Sequence, residues 1–469
     1  MAYQLADFID LDLSIAMTAK VDRLLGSHLH KGPRQEDLTF AYWKPSIGAG
    51  RYTAIITALV PPGDGDRLLQ GNVAFLPQYL HRVLAGIPHG AGVALLHGHL
   101  GPGWQEMSKD DVAAEQDRLA GAVAGRSGLP VLGLTRGTDG AWSGRLWVRD
   151  APRSYRRLWA RTVRVVGREI RITYHPSDPP PPVTDRQVAT VSVWGQRAQD
   201  DVVRARVGIV GLGSVGSLVA EVLSRVGLFR LTYLDFDLLE ERNLDRTHGA
   251  TAADVLAQLS KVQVAARSTG FSHTADQLDL HVVSQSLLTP EGLAAALDCD
   301  VLVCCVDRPW PRFLINAIAY SHLIPVVDGG ITARVKPDGT PLHIDWRIHT
   351  VGPENACMVC LGALRRSDVS LDIEGKLDDP DYIEGLSEED KVYFSRRNVF
   401  PFSMSVAAHE VLQIVGLISG QVRIGGVGPQ MYHCYPGTME ILDAACEQDC
   451  EFRALTATAS DLTSNLPRG

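Results

Sequence analysis

The stretch RVGIVGLGSVGSLVAEVLSRVG, residues 206–227, decides the fold of the larger part of this chain. It opens with a short apolar run of strand character, and Gly211, Gly213 and Gly216 follow at once as G-x-G-x-x-G before a helical pattern. Glycines let the backbone turn sharply and approach a phosphate, while the helix start offers free N–H groups and a partial positive charge. Alone, the pattern reads as a dinucleotide site or as a generic strand-to-helix turn.

The residues downstream narrow the choice. The next strand ends in LDFDLLEERNLDR, residues 234–246, where Asp235 is placed to take ribose hydroxyls. A dehydrogenase has no need of Asn243, Arg246 and Lys261 just beyond it, whereas a triphosphate requires such donors. The strand DVLVCCVD, residues 300–307, delivers Asp307 at its C-terminal end, the edge where doubly wound sheets bind ligands, and a carboxylate there suits Mg²⁺. Strands separated by helices, ending with IPVVDGG at 324–330, predict a parallel, doubly wound α/β sheet that binds ATP.

The run D-x-D-x-x-x-x-x-N-L-D-R, the later Lys261, Asp307 followed by Arg312 and Asn316, and IPVVDGG together resemble the ThiF/MoeB family, the ubiquitin-activating-enzyme fold, over residues 184–469. The resemblance implies adenylation of the C-terminal glycine carboxylate of a ubiquitin-like protein. It implies that Asp235 binds ribose, that Asn243, Arg246 and Lys261 hold the phosphates, and that Asp307 holds Mg²⁺. It also implies a homodimer, in which Arg186 reaches the partner's triphosphate. Arg312 and Asn316 read equally as structural residues.

Cys357 and Cys360 form C-x-x-C, and Cys446 and Cys450 form C-x-x-x-C. The family resemblance implies one structural Zn²⁺ on four thiolates, although the second pair carries one residue more than usual; unliganded thiols are the alternative. Cys304 and Cys305 lie in an apolar strand and read as core. Family members that pass the adenylate to their own thiol carry a cysteine in the crossover region, here residues 364–405, and that segment has none. The adenylate is therefore expected to pass to an external thiol or sulfur donor, with Cys434 as the less favoured internal candidate. The segment is acidic in its middle and flanked by Arg365, Arg366, Arg396 and Arg397, which suits ordering over a bound tail or a mobile surface loop.

The prolines of HPSDPPPPVTD, residues 175–185, lack backbone donors and mark a boundary. The expected division is a first domain at 1–152, a basic segment and linker at 153–183, and the α/β domain at 184–469. Before the break, Ser14–His30 reads as a helix, and the strands DLTFAYW, YTAIITALV, GNVAFL, GVALLHGH, PVLGLTRG and AWSGRLWVRD alternate with helices near 78–85 and 108–125. This predicts an α+β domain with a mainly antiparallel sheet. The arginine-rich stretch at 153–172 reads as a strand with a solvated basic face, or as a docking site for an acidic partner.

In this domain His97 and His99 end a strand and, two apart, project from one face of it. Ser108 can cap the following helix, and Asp111 lies on that helix's first turn, so three ligands converge with a geometry that suits a catalytic Zn²⁺. Such a site needs a carboxylate base to take the proton of the attacking water, and Glu36, just before a neighbouring strand, is well placed; Asp37 is the alternative. Glu36, His97, Gly98, His99, Ser108 and Asp111 resemble the JAB/JAMM (MPN) metalloprotease signature over about residues 10–150. Eight residues rather than seven separate His99 from Ser108, and Gly98 and Leu100 replace the usual Ser or Thr and Pro. The resemblance implies zinc on His97, His99 and Asp111, Glu36 as general base and Ser108 stabilising the developing oxyanion. A helix cap beside solvated histidines, or an inactive member of the fold, is the plainer reading.

The 469 residues carry a net charge of −9 with a sequence pI near 5.9, which disfavours nucleic acid and anionic membranes as partners. The N-terminus carries acids where a secretion signal needs positive charge, no apolar run approaches the roughly 20 residues of a membrane span, and cysteines in close pairs suit a reducing cytosol. The two halves make sense together if both act on the tail of one ubiquitin-like protein: the first cleaving it, the second adenylating it. The expected setting is a bacterial-type ubiquitin-like modification pathway, in antiphage defence by resemblance, with a conjugating enzyme or sulfur donor downstream. Sulfur-carrier activation for biosynthesis and a non-catalytic scaffold that binds ubiquitin-like proteins are the rivals.

Overall fold

The structure is a computed structural model that describes residues 3–30, 35–70, 72–335, 341–386, 398–421, 423 and 427–465. The chain divides into two compact units. The first takes in Met1–Gly167, Arg171–Pro179 and Ala457–Ser460; the second takes in Arg168–Ile170, Pro180–Thr456 and Asp461–Gly469.

A nine-stranded sheet forms the first unit. Its strands are β1 (Asp12–Thr18), β2 (Leu38–Ile47), β3 (Arg51–Val60), β6 (Gly92–Gly98), β7 (Val131–Arg136), β8 (Trp142–Ala151), β9 (Ser154–Trp159), β10 (Thr162–Val166) and β11 (Ile170–Tyr174), with a separate two-stranded ribbon of β4 (Arg67–Gln70) and β5 (Asn72–Phe75). They lie in the order β11-β10-β1-β3-β2-β6-β7-β8-β9. Two expectations change here. Ser14–Thr18 is the end of a strand, not a helix: β1 lies between β10 and β3, parallel to both, and its Leu13, Ile15 and Met17 alternate into the core. The helix starts only at Ala19, where the Thr18 side chain accepts the Val21 N–H. The sheet is also mixed rather than mainly antiparallel, because β6 and β7 run parallel as well.

The basic stretch at 153–172 supplies β9, β10 and part of β11, in line with its reading as strand. β10 is wholly buried, Arg164 included, whereas Arg156 and Arg157 on the edge strand β9 are exposed. Alternation of Val with Thr and Arg in TVRVV fits a strand buried on both faces only if its polar side chains find partners, which composition does not reveal.

An eight-stranded sheet forms the second unit, in the order β14-β13-β12-β15-β16-β17-β18-β19. β12 (Arg206–Val210), β13 (Arg230–Leu234), β14 (Asp279–Val283), β15 (Val301–Cys304) and the start of β16 (Val326–Val335) run parallel. β17 (Pro341–Val351), β18 (Gln430–His433) and β19 (Thr438–Ile441) continue the sheet antiparallel. Strand order reverses between β12 and β15, so a crevice opens at their C-terminal ends, the usual ligand position in such sheets. The helix Phe400–Ser419 is long and apolar enough to cross a membrane, yet it lies against β16, β17 and the helix Ser214–Val226 and carries Glu410 and Gln413 buried. In the acidic segment Arg366–Ile373 is a helix whose Val369 joins the hydrophobic core of the second unit, and Arg396 and Arg397 lie outside the described residues.

Candidate functional site

In the second unit the three glycines have three different jobs. Gly211 takes φ +91°, its N–H donates to Leu234 O at 2.8 Å, and a Cβ there would stand 2.8 Å from the carbonyl oxygen of Cys305. A Cβ on Gly216 would stand 1.8 Å from Gly211 O, so only glycine lets the helix Ser214–Val226 sit on the turn. A Cβ on Gly213 would meet nothing within 4 Å. Gly213 is also the N-cap of that helix and offers no side chain to its first N–H groups, so the space it leaves lies at a helix start able to receive an anion.

Asp235, buried just past β13, accepts the N–H of Leu212 at 2.6 Å and of Asp237 at 2.8 Å, which fixes it against the glycine turn. Burial pushes its carboxyl above the usual range, against the opposing pull of Lys261. Lys261 opens the helix Lys261–Ser272 and reaches Asp237 at 2.5 Å. Arg246 pairs with Asp245 at 3.0 Å, and the Asn243 side-chain oxygen accepts the Glu240 N–H at 3.1 Å within a one-turn cap. Asp307 is exposed beyond the end of β15. Arg186 bonds Asp276 at 3.2 Å and is half exposed.

Arg312 and Asn316 face inward. Arg312 clasps the buried Asp328 at 2.9 and 2.7 Å, and Arg347 adds a bond to the same carboxylate at 2.7 Å. Burial alone would raise Asp328, but the two guanidinium groups hold it well below the usual range. Asn316 is buried and accepts the Met358 N–H at 3.1 Å, which fixes the Cys357–Cys360 turn. One contact escaped the sequence reading: Ser214 at the helix start hydrogen-bonds Ser403, and Asn398 donates to both, at 3.2 and 2.9 Å. Separated by 184 and 189 positions, these residues give no pattern to find.

Cys357, Cys360, Cys446 and Cys450 converge with their sulfurs all within 4.8 Å of one another. Cys357 and Cys450 are 3.7 Å apart, against the roughly 3.8 Å that tetrahedral Zn–S bonds of about 2.3 Å require. The extra residue between Cys446 and Cys450 is therefore tolerated. The hydrogen bonds that Cys446 accepts from Cys357 and Tyr320 pull its thiol below the usual range, and the bond to Cys446 pushes Cys357 up in turn. Four thiols that cannot ionise together fit a dication. Cys304 is core as expected, and Cys434 lies between β18 and β19, outside this cluster.

In the first unit His97, His99 and Asp111 converge as well. The Nε2 atoms of His97 and His99 are 3.3 Å apart, and each lies 3.2 Å from an Asp111 oxygen. Tetrahedral ligands at 2.0–2.1 Å from zinc stand roughly 3.3 Å apart, so the donor set fits the metal. Ser108 and Asp111 form a capping box: Ser108 N–H donates to Asp111 at 2.7 Å, and Asp111 N–H donates to Ser108 Oγ at 3.1 Å. Burial would raise the Asp111 carboxyl, but its bonds to His97 and His99 hold it well below the usual range. The same bond raises His99.

Glu36 feels the charges of His99, His97 and Asp111, and burial leaves its carboxyl above the usual range. Asp37 is committed to Arg67 at 2.5 and 2.9 Å and to the Leu38 N–H at 2.8 Å. The departure at Gly98 has a local cause: a Cβ there would stand 2.9 Å from the His30 ring and 3.0 Å from Leu29 O.

The ThiF family model matches residues 184–430. Ubiquitin-like modifier-activating enzyme 5 of Drosophila pseudoobscura pseudoobscura is 28% identical over 165 residues, 33% of this chain and 39% of that protein. The same enzyme of Drosophila willistoni is 29% identical over 170 residues, 33% of this chain and 38% of that protein. Among solved structures, E. coli MccB with ATP aligns with a TM-score of 0.45 at 16% identity, covering 57% of this chain and 74% of that one. The chain thus spans about two fifths of the length of the curated relatives it matches.

Proposed function

The chain belongs to the ThiF family, and from that premise we propose that its second unit activates a protein or peptide C-terminus by ATP-dependent adenylation. The curated relatives support this by their name, which is that of an enzyme activating a ubiquitin-like modifier. The observation that carries it is the open space at Gly213, at a helix start without a side-chain cap, with Asp235 bonded to the glycine turn and Lys261 reaching Asp237 two residues on. A substrate carboxylate oxygen attacks the α-phosphorus of ATP, the bond to the bridging oxygen breaks, and pyrophosphate leaves. The N–H groups after Gly213 bind phosphate, Asp235 takes the ribose hydroxyls, and Lys261, Arg246 and Asn243 neutralise the leaving phosphates. Asp307 would hold Mg²⁺, and Arg186 would reach the partner's nucleotide in a homodimer.

For the first unit we propose hydrolysis of the same substrate's tail. His97, His99 and Asp111 would hold Zn²⁺, which supplies Lewis acidity and an acidified water. Glu36, its carboxyl raised by burial, takes up a proton and returns it to the departing amine. Ser108 Oγ already accepts the Asp111 N–H and has its own hydrogen left to donate. The second unit would pass its product to an external thiol or sulfur donor, because residues 364–405 contain no cysteine.

The test is to incubate the chain with glycine-ended ubiquitin-like proteins from its own genome, with and without ATP, and weigh the products. Adenylate mass and ATP–pyrophosphate exchange are expected with ATP, and a shortened tail without it. Binding without exchange would make the protein a scaffold.

A further inference from the structure

Behind His97 runs a chain of fully buried polar groups that neither proposed activity has used. Thr135, on β7 directly beside His97 in register, places Oγ1 3.2 Å from His97 Nε2. Arg145, on β8, donates to that same Oγ1 at 2.5 Å. Arg145 in turn donates through Nε to Glu115 at 2.9 Å and through Nη2 to the other Glu115 oxygen, and Trp147 Nε1 donates to Glu115 at 2.7 Å. Thr135, Arg145 and Glu115 all have 0% exposure.

The protein goes to some length to build this chain. Glu115 comes inward from a π-helical stretch, Ala113–Ala120, which begins two residues after Asp111. Wider winding of this kind is rare and clusters at functional sites. Gly133 leaves the room, since a Cβ there would stand 2.3 Å from Glu115 Oε2 and 2.6 Å from Arg145 Nε. A buried ion pair seldom adds net stability, because desolvation offsets the attraction. Orientation is what the pair supplies.

Hydrogen-bond direction then settles what Thr135 does. A guanidinium only donates, so Thr135 Oγ1 is the acceptor from Arg145 and its single hydrogen must point elsewhere. His97 Nε2 is the acceptor in reach. Accepting from a cation also makes a hydroxyl a better donor. A ring nitrogen committed to a metal cannot accept that hydrogen, which then turns into the space enclosed by His97, His99 and Asp111. We propose that Thr135 is a further hydrogen-bond donor of the hydrolytic site, aimed by the Glu115–Arg145 pair at an oxygen atom of the ligand between the two histidines. This rests on the zinc reading of the triad. Thr135 would complement Ser108 from the sheet, Ser108 standing at the helix start.

The test uses the full chain with Co²⁺ as the probe, subtracting the spectrum of Asp111→Ala to remove cobalt held at the cysteines. The visible band is titrated with pH in the wild type, Thr135→Val and Thr135→Ser, and the Co²⁺ dissociation constant is measured for each. The expected result is an acid–base midpoint about one pH unit higher in Thr135→Val, the tenfold change that a hydrogen bond to an ionised oxygen is worth. Thr135→Ser should restore the wild-type midpoint, with dissociation constants within about threefold throughout. An unmoved midpoint in Thr135→Val overturns the role of Thr135, and so does a tenfold loss of Co²⁺ affinity with no change of midpoint. Failure of the wild type to take up Co²⁺ at this site overturns the metal reading instead.

Discussion

Substituting alanine for Gly213 and for Gly216 separates a glycine kept for the ligand from one kept for the fold. At Gly213 the new methyl meets nothing within 4 Å, so no clash of the added atom is expected there. At Gly216 the methyl would stand 1.8 Å from the backbone oxygen of Gly211, which cannot rotate away. Overpacking of this kind costs about 1–3 kcal/mol or more, and at about 2–4 °C per kcal/mol the midpoint should fall by roughly 2–12 °C. The order reverses for ATP. A methyl at Gly213 fills the space where phosphate oxygens approach the helix N–H groups, and a tenfold loss of affinity is the least expected. At 100 times the wild-type dissociation constant, ATP stabilises the wild type by about 2.7 kcal/mol and a tenfold weaker variant by about 1.4. Thermal scans with and without ATP read both numbers. A Gly213→Ala protein whose ATP-induced shift equals the wild type's would refute the placement of the phosphates.

Three further outcomes are expected. Asp307→Ala should abolish pyrophosphate exchange and spare tail cleavage, and Glu36→Gln should do the reverse; loss of both activities in one folded variant, shown by parallel assays, would undo the division of labour. Metal analysis should find two zinc ions per chain, and one each in Asp111→Ala and Cys446→Ser, with a chelator lowering the thermal midpoint chiefly through the cysteine site. Burial pushes His349 down to about 3, against the pull of Asp328. Below about pH 6.5 the unfolded chain takes up a proton that the folded chain refuses until about pH 3, so stability is lost as pH falls through that window. The slope attributable to this residue approaches about 1.4 kcal/mol per pH unit, and His349→Asn, compared by urea denaturation at pH 7 and 5, should lack it.

Much of the convergence at both candidate sites was legible in the residues because the groups that meet are local in sequence. His97, His99 and Asp111 span one strand end and one capped helix start, and the three glycines span one turn. Local spacing constrains direction there, since a strand alternates and a cap has fixed geometry. What escaped was long-range: β17, β18 and β19, the Ser214–Ser403–Asn398 contact, and β10 taking its place beside β1 across about 150 residues. Burial of charge also escaped, although Arg145 within the apolar run of β8 and Glu115 on the buried face of its helix were signals that each needed a partner.

The sequence by itself determined the doubly wound sheet, the glycine turn and the kinds of atom offered to nucleotide and metal, because alternation, caps and φ > 0 positions act within a few residues. Only the tertiary structure decided which candidates meet: Asp37 is tied to Arg67 while Glu36 feels the triad, Arg312 and Asn316 are turned inward, and Thr135 is aimed by Arg145 and Glu115. The reason is that a hydrogen bond depends on distance and direction in space. Strands adjacent in a sheet can be a hundred residues apart in the chain, and nothing in either stretch alone records the meeting.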